Sequence, residues 1–554
     1  MSTGTITPYR SAQQPGRDDF AHLLLSEWTK FRTVRGWVIA MVGAALLTPL
    51  AVVALAGIAS GKQNPAANPM APTATGPGSA TVAIGPGGEA VTDDFYLVHQ
   101  SLAGNGSVTA RVTSLTGSVL PGQVPRGVTP PRGPQPWAKA GIIVKASTRP
   151  GSAYAAVLAT PGHGVRMQWN YTGDTAGLPG AVSAASPRWL RLTRSGDTIT
   201  GYDSADGSHW AKIGTATLAG LPRAVQAGLF VASPQYVTAT QGFASNDFAQ
   251  LNTQAAAVFD RVSLAGGQPG ATWSTGNIGA ASVVAGPRGD SRCRQLPARS
   301  VCVGKRKAPA GGLARSGGTF RVREYGGDIA PYVTVVDPLG TVLKGTAIGL
   351  IAVVALGALY IAAEYRRGLI RTTFAASPRR GRVLAAKAIV IGVVTFAASL
   401  IGAAAAVPIA ERRLHSGGWV SSVYPVWSLT SAQGMQIVVG TAGLLAVAAI
   451  LALSAGAVLR RSAGAITAVV VLVIVPLILA VILPQGPADW LLRLTPAAAF
   501  GLQQGIPQYS QVMHTCMPYN GCFPLAPWTG FAVSCAWAAA ALGLAIYLLR
   551  RRDA

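Results

Sequence analysis

Apolar residues in this chain gather into six long uncharged runs, and between the first and second of these they appear instead as short alternating stretches. The runs are Trp37 to Ile58, Gly345 to Ala363, Ala388 to Pro408, Met435 to Leu459, Ala463 to Leu483 and Trp528 to Leu549. A helix crossing a bilayer needs about 20 such residues, and in lipid its backbone groups find partners only within the helix itself. The pattern therefore predicts six transmembrane helices. Ahead of the first run, Phe20, Leu23, Leu24, Trp28 and Phe31 recur at helical spacing, with Asp18, Asp19, Glu27, Lys30 and Arg32 at the other positions. This predicts an amphipathic helix at the membrane interface, with Trp28, Lys30, Phe31 and Arg32 at its edge.

Basic residues set the sidedness. Lys30, Arg32 and Arg35 precede the first run, and Arg366, Arg367, Arg371, Arg379, Arg380, Arg382 and Lys387 join the second to the third. Arg460 and Arg461 join the fourth to the fifth, and Arg550, Arg551 and Arg552 follow the sixth. Six spans put all of these on one side, which the positive-inside rule makes cytoplasmic together with both termini. Arg412 and Arg413 fall on the other side and dissent. The first run, with Ala54-Leu55-Ala56, also has the look of a cleavable leader, but both its apolar core and the segment before it are too long. Cys293 and Cys302 lie in the first extracytoplasmic segment and Cys516 and Cys522 in the last, where disulfides persist; each pair is a candidate bridge, with free thiols the alternative. Cys535 sits within the last run.

Residues 61–92 read as a flexible linker rich in Pro, Ala and Gly. From 93 to 264, segments such as Ser107 to Thr113, Ala140 to Lys145, Trp189 to Arg194 and Val225 to Val231 alternate in polarity between turn residues, including Ser195-Gly196-Asp197 and Ser204 to Gly207. That is the pattern of an all-β sandwich. Residues 265–343 form a Gly-rich connector of unassigned structure. The succession AKAGIIVKAS, SAYAAVLATPG, PRWLRLTRSGDTITGYDSADGSHW and VQAGLFVAS resembles the concanavalin-like jelly-roll domains of secreted glycanases and their non-catalytic relatives. The resemblance implies two sheets whose concave face, in some relatives, holds carbohydrate. Trp169, Tyr171, Trp189, Tyr202 and Trp210 are either sandwich core or a sugar-stacking platform, with Trp169, Tyr171, Tyr202 and Trp210 the candidate glycan contacts. Glycoside hydrolysis needs two facing carboxylates. The strand segments are read as supplying none, with Asp203 and Asp206 placed in a turn, so no catalytic residue is assigned.

Composition sharpens this picture. Half of the 554 residues are hydrophobic and only 12% are charged, too greasy for a soluble surface, while 66 Gly and 37 Pro exclude helix throughout. The net charge of +25 suggests nucleic acid, but the cations border the apolar runs and are not interleaved with stacking aromatics, so nucleic acid is set aside. No Gly-x-x-x-x-Gly-Lys-Ser/Thr loop is present, so any nucleotide is bound by another chain. No His/Cys cluster has metal-ligand spacing; His514, Cys516 and Cys522 are near one another, but a disulfide suits that side better than zinc.

The membrane part resembles the ABC-2 type permeases of the actinobacterial kind. The resemblance rests on LLLSEWTKFRTVRGW before the first run, GDIAP before the second, EYRRGLIRTTFAASPRRGRVLAAK after it, LRRSAGAI between the fourth and fifth, and LLRLTPAAAFGLQQ with the terminal RRRDA. It implies a six-helix half of a dimeric plasma-membrane transporter, a second permease subunit and a cytoplasmic ATPase that binds the ATP. The basic loop 364–387 would couple to that ATPase through Glu364, Arg366, Arg367, Arg371, Arg379, Arg380 and Arg382, with the Glu364 carboxylate ordering the loop's arginines. Residues 485–527 match the family's structured outer loop, whereas the inserted sandwich departs from the pattern. The expected function is an exporter permease surrounded by membrane lipid. The competing reading is a membrane-anchored protein that binds cell-surface glycan, for which six spans are more than an anchor needs.

Overall fold

The computed structural model describes residues 20–60, 83–120, 132–242, 245–267, 271–279, 292–296, 299–303, 311–333, 337–366, 368, 379–416, 427–506, 509–513 and 523–551. Helix α1 (Phe20–Thr33) is the amphipathic segment. After it come α2 (Arg35–Ser60), a β domain, the short α3 (Pro338–Leu343), α4 (Thr346–Arg366), α5 (Arg380–Ser416), α6 (Ala432–Leu459), α7 (Ser462–Ile482), α8 (Gln485–Leu494), a 3-10 turn (Pro496–Gln503) and α9 (Pro527–Arg551). Six of these helices are long and apolar enough to cross a membrane, α3 continuing into α4 as one span. At 37 residues α5 outruns any bilayer: at 1.5 Å per residue it is about 55 Å long against about 30 Å of hydrocarbon. Exposed Arg412 and Arg413 lie on its far overhang, so their dissent from the charge rule costs no burial in lipid.

Without a hydrophobic drive between helices in lipid, close backbone approach decides packing, and small residues permit it. Helix α6 is accordingly the central one, rich in Ala and Gly and buried along most of its length. A Cβ on Gly357 of α4 would come within 2.3 Å of the Ala449 carbonyl of α6, so that crossing requires glycine. The 3-10 turn, part of the expected outer loop, is buried throughout, and Gln503 donates to Thr346 Oγ1 of α4 at 2.9 Å and Thr441 Oγ1 of α6 at 3.4 Å.

In the β domain an antiparallel sheet runs Ala211–Thr217, Thr198–Ser204, Arg188–Ser195, Phe95–Val119, Ala224–Ala232, Lys139–Lys145, Tyr154–Thr160, Gly164–Trp169, Gly173–Ala176. Its first and last strands approach one another, so the sheet curls into a nearly closed sandwich. Inside lie Val108, Val112, Leu190, Leu192, Ile199, Ile142, Val157, Met167 and Leu229. Alternation explains which face they take: on Arg188–Ser195, Leu190 and Leu192 point inward and Trp189, Arg191 and Thr193 outward. A second apolar layer, with Phe95, Ile143, Tyr154, Leu158, Tyr171 and Phe230, lies on the opposite face of the sheet.

The structure moves the domain's boundaries. Ala83–Ile84 and Ala90–Asp93, which apart from Asp93 fall in the expected 61–92 linker, pair with each other, and the second strand pairs with Ile329–Pro331. Ser274–Ile278 and Thr319–Tyr325, expected in the 265–343 connector, join the main sheet, and Gly312–Ser316 pairs with Thr319–Tyr325. Sequence spacing missed these because their partners are far away along the chain: Thr319–Tyr325 pairs with Thr253–Gly267, and Ser274–Ile278 with the start of Phe95–Val119. The strands also carry carboxylates after all. Asp203 is buried within its strand, accepting the Leu178 N–H at 2.6 Å, and only Asp206 occupies the turn. Asp93, Asp174, Asp260 and Glu324 are strand residues too.

Glu324 supplies a pH dependence. It is 2% exposed and accepts from Asn277 Nδ2 at 3.2 Å, while burial and the nearby Asp94 push its pKa from 4.5 up to about 8. The folded domain thus favours the protonated acid, a contribution present below pH 4.5 and lost as pH rises through about 8. Unfolding of the β signal in the purified full-length protein is expected to move to lower temperature across that interval, and Glu324→Gln to flatten the slope. An unchanged slope in the variant would assign the dependence elsewhere.

Candidate functional site

The amphipathic helix carries one acid inside its apolar stripe. Leu24, Glu27 and Phe31 share a face of α1, and Glu27 is 1% exposed, not on the polar face where its type suggests. Its partner comes from α5. Lys387 lies on the buried face of that helix with Val383, Leu384 and Ile391, is fully buried, and donates to Glu27 Oε2 at 2.6 Å. The same ammonium donates to Glu364 Oε1 of α4 at 2.6 Å and lies 5.0 Å from the centre of the Tyr360 ring. Tyr360 OH donates to Glu27 Oε2 at 3.2 Å, and its ring meets Phe31 and Trp37 edge-on. Lys30 closes the set at 2.8 Å from Glu27 Oε1 and 3.9 Å from Glu364.

Two carboxylates and two ammoniums thus balance at one end of the bundle. An isolated buried charge costs several kcal/mol, which pairing of this geometry offsets. For Glu27 burial opposes ionisation, yet Lys387 and Lys30 outweigh it and hold the carboxyl below its ordinary 4.5. Two expectations change here. Among the described residues the partners of Glu364 are Lys387 and Lys30, with no loop arginine among them, and Lys387 is an internal counter-charge where a surface anchor was expected.

Of the other expected coupling residues, Arg366 ends α4 exposed, Arg379 and Arg382 are exposed at the start of α5, and Arg380 Nη1 donates to the Leu549 carbonyl of α9 at 3.2 Å. Arg367 and Arg371 lie outside the described residues. On α1, Trp28 and Arg32 are exposed, Trp28 by 44%, while Phe31 is buried.

The opposite end of the bundle, beneath the sandwich, holds a second polar construction. Asp337 caps α3, accepting the Gly340 N–H at Oδ1 (2.9 Å) and the Gly505 N–H at Oδ2 (2.6 Å); burial pushes its pKa up to about 6 against those two donors. Trp427 Nε1 donates to the Gly505 carbonyl at 2.7 Å, and Gln433 to that of Gln504 at 2.6 Å. The sandwich rests on the same segment: Gln511 Nε2 donates to the carbonyls of Tyr171 and Thr172 at 3.1 and 3.2 Å. Lys145 and Lys139, the two ends of one strand, pair with Asp93 at 2.7 Å and Asp328 at 2.6 Å, fixing the two strands through which the domain joins the helices.

The candidate glycan residues divide: Tyr171 and Trp169 are taken up in the domain's packing, and Tyr202 and Trp210 flank Arg191 on the outward face. Tyr171 is buried and donates to Asp93 at 2.8 Å; Trp169 packs on the sandwich interior; Tyr202 lies outward beside Arg191; and the Trp210 face is covered by the Arg191 guanidinium at 3.8 Å. The backbone sets Cys293 opposite Cys302 in a hairpin, and Cys516 and Cys522 lie outside the described residues. Among the described residues no group of three or more His, Cys, Asp or Glu is placed to hold a metal.

A family model described as ABC-2 family transporter protein matches residues 219–554, more than half of the chain. The chain belongs to this family. An ABC-2 protein is the membrane component of an ABC transporter, so the six helices are those of a permease. The match begins within the β domain and leaves α1 and α2 outside it, whereas the sequence resemblance took in both. A search of curated proteins returned no match. Among solved structures, a functionally unknown protein from Saccharomyces cerevisiae aligns at 15% identity over 30% of this chain and 71% of its own, with a TM-score of 0.17. Scytalido-glutamic peptidase with a transition state analog inhibitor aligns at 10% identity over 42% and 98%, with a TM-score of 0.23. Both superpositions are too loose to bear on what the permease does.

Removing Lys387 alone leaves Lys30 as the cation for both acids and takes from Glu27 and Glu364 the ammonium that each holds at 2.6 Å. Lys387→Met is expected to destabilise the purified permease by about 3–5 kcal/mol and to expose α1 to protease, while the neutral set Glu27→Gln, Glu364→Gln, Lys387→Met recovers most of the loss. The Glu27 contribution itself holds above pH 4.5 and falls away only below it. A single variant as stable as wild type would mean that the network does not hold α1.

Proposed function

We propose that this permease works as one half of an exporter driven by a separate cytoplasmic ATPase chain, and that the ATPase docks where α1, the end of α4 and the start of α5 meet. The observation that carries the reading is the Lys387 network. It ties α1 to two spans at the end of the bundle where exposed Arg366, Arg379 and Arg382 gather, so a push on α1 or on the segment after α4 is delivered to α4 and α5 together. Basic residues at the ends of the spans support placing this end in the cytoplasm and the sandwich outside. Exposed Trp28 suits the lipid interface beside the ATPase footprint. A second permease subunit would complete the pathway. Export is part of the proposal, with the sandwich as an extracytoplasmic element resting on Gln511, and glycan binding is left out of it because Tyr171 is spent on Asp93, Trp169 on the sandwich interior and the Trp210 face on Arg191.

Among the described residues Arg366, Arg379 and Arg382 are the exposed arginines of the site, whereas Arg380 donates to α9. Arg379→Glu with Arg382→Glu is expected to cut co-purification of the ATPase, and permease-stimulated ATP hydrolysis, several-fold at equal membrane abundance, since attraction to an acidic surface becomes repulsion. Unchanged capture would remove these residues from the docking site. A wild-type permease that captures no ATPase would favour the anchored reading.

A further inference from the structure

Beneath the sandwich, α3, α4, α7 and the 3-10 turn leave a cavity of about 410 Å³, within the size range of small-molecule sites. Its lining is mostly apolar: Ile474, Ile478 and Ile482 recur at helical spacing along one face of α7, and Phe500 and Phe523 add to them. Ile478 and Ile482 are 54% and 38% exposed, so this wall opens to the outside of the bundle, where acyl chains lie. Charge in the lining is balanced. Lys344, at the joint between α3 and α4, has the buried Asp337 carboxylate as its electrostatic counter-charge. Gln503 supplies the remaining polar group. It is 2% exposed and lines the cavity, and its Nε2 is committed to Thr346 Oγ1 at 2.9 Å and Thr441 Oγ1 at 3.4 Å. Among the described residues no donor reaches Gln503 Oε1, and this oxygen is not one of the atoms sealed in without a partner. The two hydroxyls thus hold the amide by its nitrogen and leave its oxygen as an acceptor for an occupant of the cavity.

We propose that this cavity binds an uncharged single-chain lipid with a hydroxyl head, the chain along α7 and the hydroxyl donating to Gln503 Oε1. The chemistry of the lining carries the argument. A purely polar solute finds no partners along Ile474, Ile478 and Ile482. A charged head loses its hydration and gains no counter-charge, because the ammonium of Lys344 and the carboxylate of Asp337 already answer one another. A chain with no donor leaves the Gln503 oxygen unpaired once water is displaced. A neutral donor at the end of an alkyl chain satisfies both zones at once. The site lies at the far end of the bundle from the Lys387 network and needs no ATPase, so ligand binding by the permease alone tests it independently of the coupling reading.

The measurement is photolabelling of the full-length permease in phosphatidylcholine nanodiscs at pH 8 with a diazirine analogue of oleyl alcohol, with labelled residues located by mass spectrometry. Oleyl alcohol, its methyl ether, oleate and oleylamine serve as competitors. Label is expected on α7 and the 3-10 turn, with oleyl alcohol the strongest competitor. The ether keeps the chain and lacks the donor, so it should compete about three- to tenfold less well, the worth of one neutral hydrogen bond, and the two charged lipids no better than the ether. Gln503→Leu should bring the alcohol down to the level of the ether and leave the ether unchanged. Because Gln503 also braces Thr346 and Thr441, the comparison of alcohol with ether on the wild-type protein tests the head group without that variant. Ile478→Trp, at an exposed position that disturbs little packing, should block labelling by filling the cavity. Label spread over all lipid-facing helices, equal competition by alcohol and ether, a charged lipid that competes as well as the alcohol, or undiminished labelling of Ile478→Trp would overturn the proposal.

Discussion

A lysine ammonium cannot stand alone in the apolar end of a helix bundle, and Lys387 makes the arrangement around it obligatory. Its two carboxylates come from different elements, Glu364 from α4 and Glu27 from α1. Lifting α1 away would leave one acid for one base but would strip Tyr360 of its acceptor and open its contact with Phe31. The position of α1 is therefore set by charge as much as by its amphipathic stripe. Through α4 and α5 the constraint reaches α6, which packs against both with the close approach that its small residues allow.

The same device recurs at the sandwich. A large domain inserted between two spans would swing freely if only a linker held it. Here one strand, Lys139–Lys145, carries a buried lysine at each end, and these lysines hold the incoming strand at Asp93 and the outgoing one at Asp328. Gln511 supports the underside, and Asp337 joins the outgoing chain to Gly505. Motion of α4 during transport would accordingly be felt at the segment around Gly505 and in the sandwich.

Much of this was legible in the sequence, for reasons that also explain the rest. The spans stand out because lipid tolerates no unpaired backbone, and Phe20–Thr33 because its period is helical. The strands of the sandwich interior stand out because one face of each is buried. Asp93, at the edge of the expected linker, and Thr319–Tyr325 were missed because their partners lie far along the chain, outside any local window. Glu27 was readable in principle. An acid between Leu24 and Phe31 on one helical face asks for a buried cation, and Lys387 among Val383, Leu384 and Ile391 asks for an anion; what sequence lacks is the distance between them. Residue type left the aromatics open between core and ligand platform, and for Tyr171 the structure decides for the interior, where it is a buried donor to Asp93.

The central claim is that α1 and α5 move as one body because Lys387 joins them. Spin labels at exposed Ser26 on α1 and Ile389 on α5 allow their separation to be measured by double electron–electron resonance. The account predicts one narrow distance distribution in the wild-type background, unchanged when nucleotide-loaded ATPase binds, and a broad one in Lys387→Gln. A distribution already broad in the wild-type background, or one that Lys387→Gln leaves narrow, would contradict it.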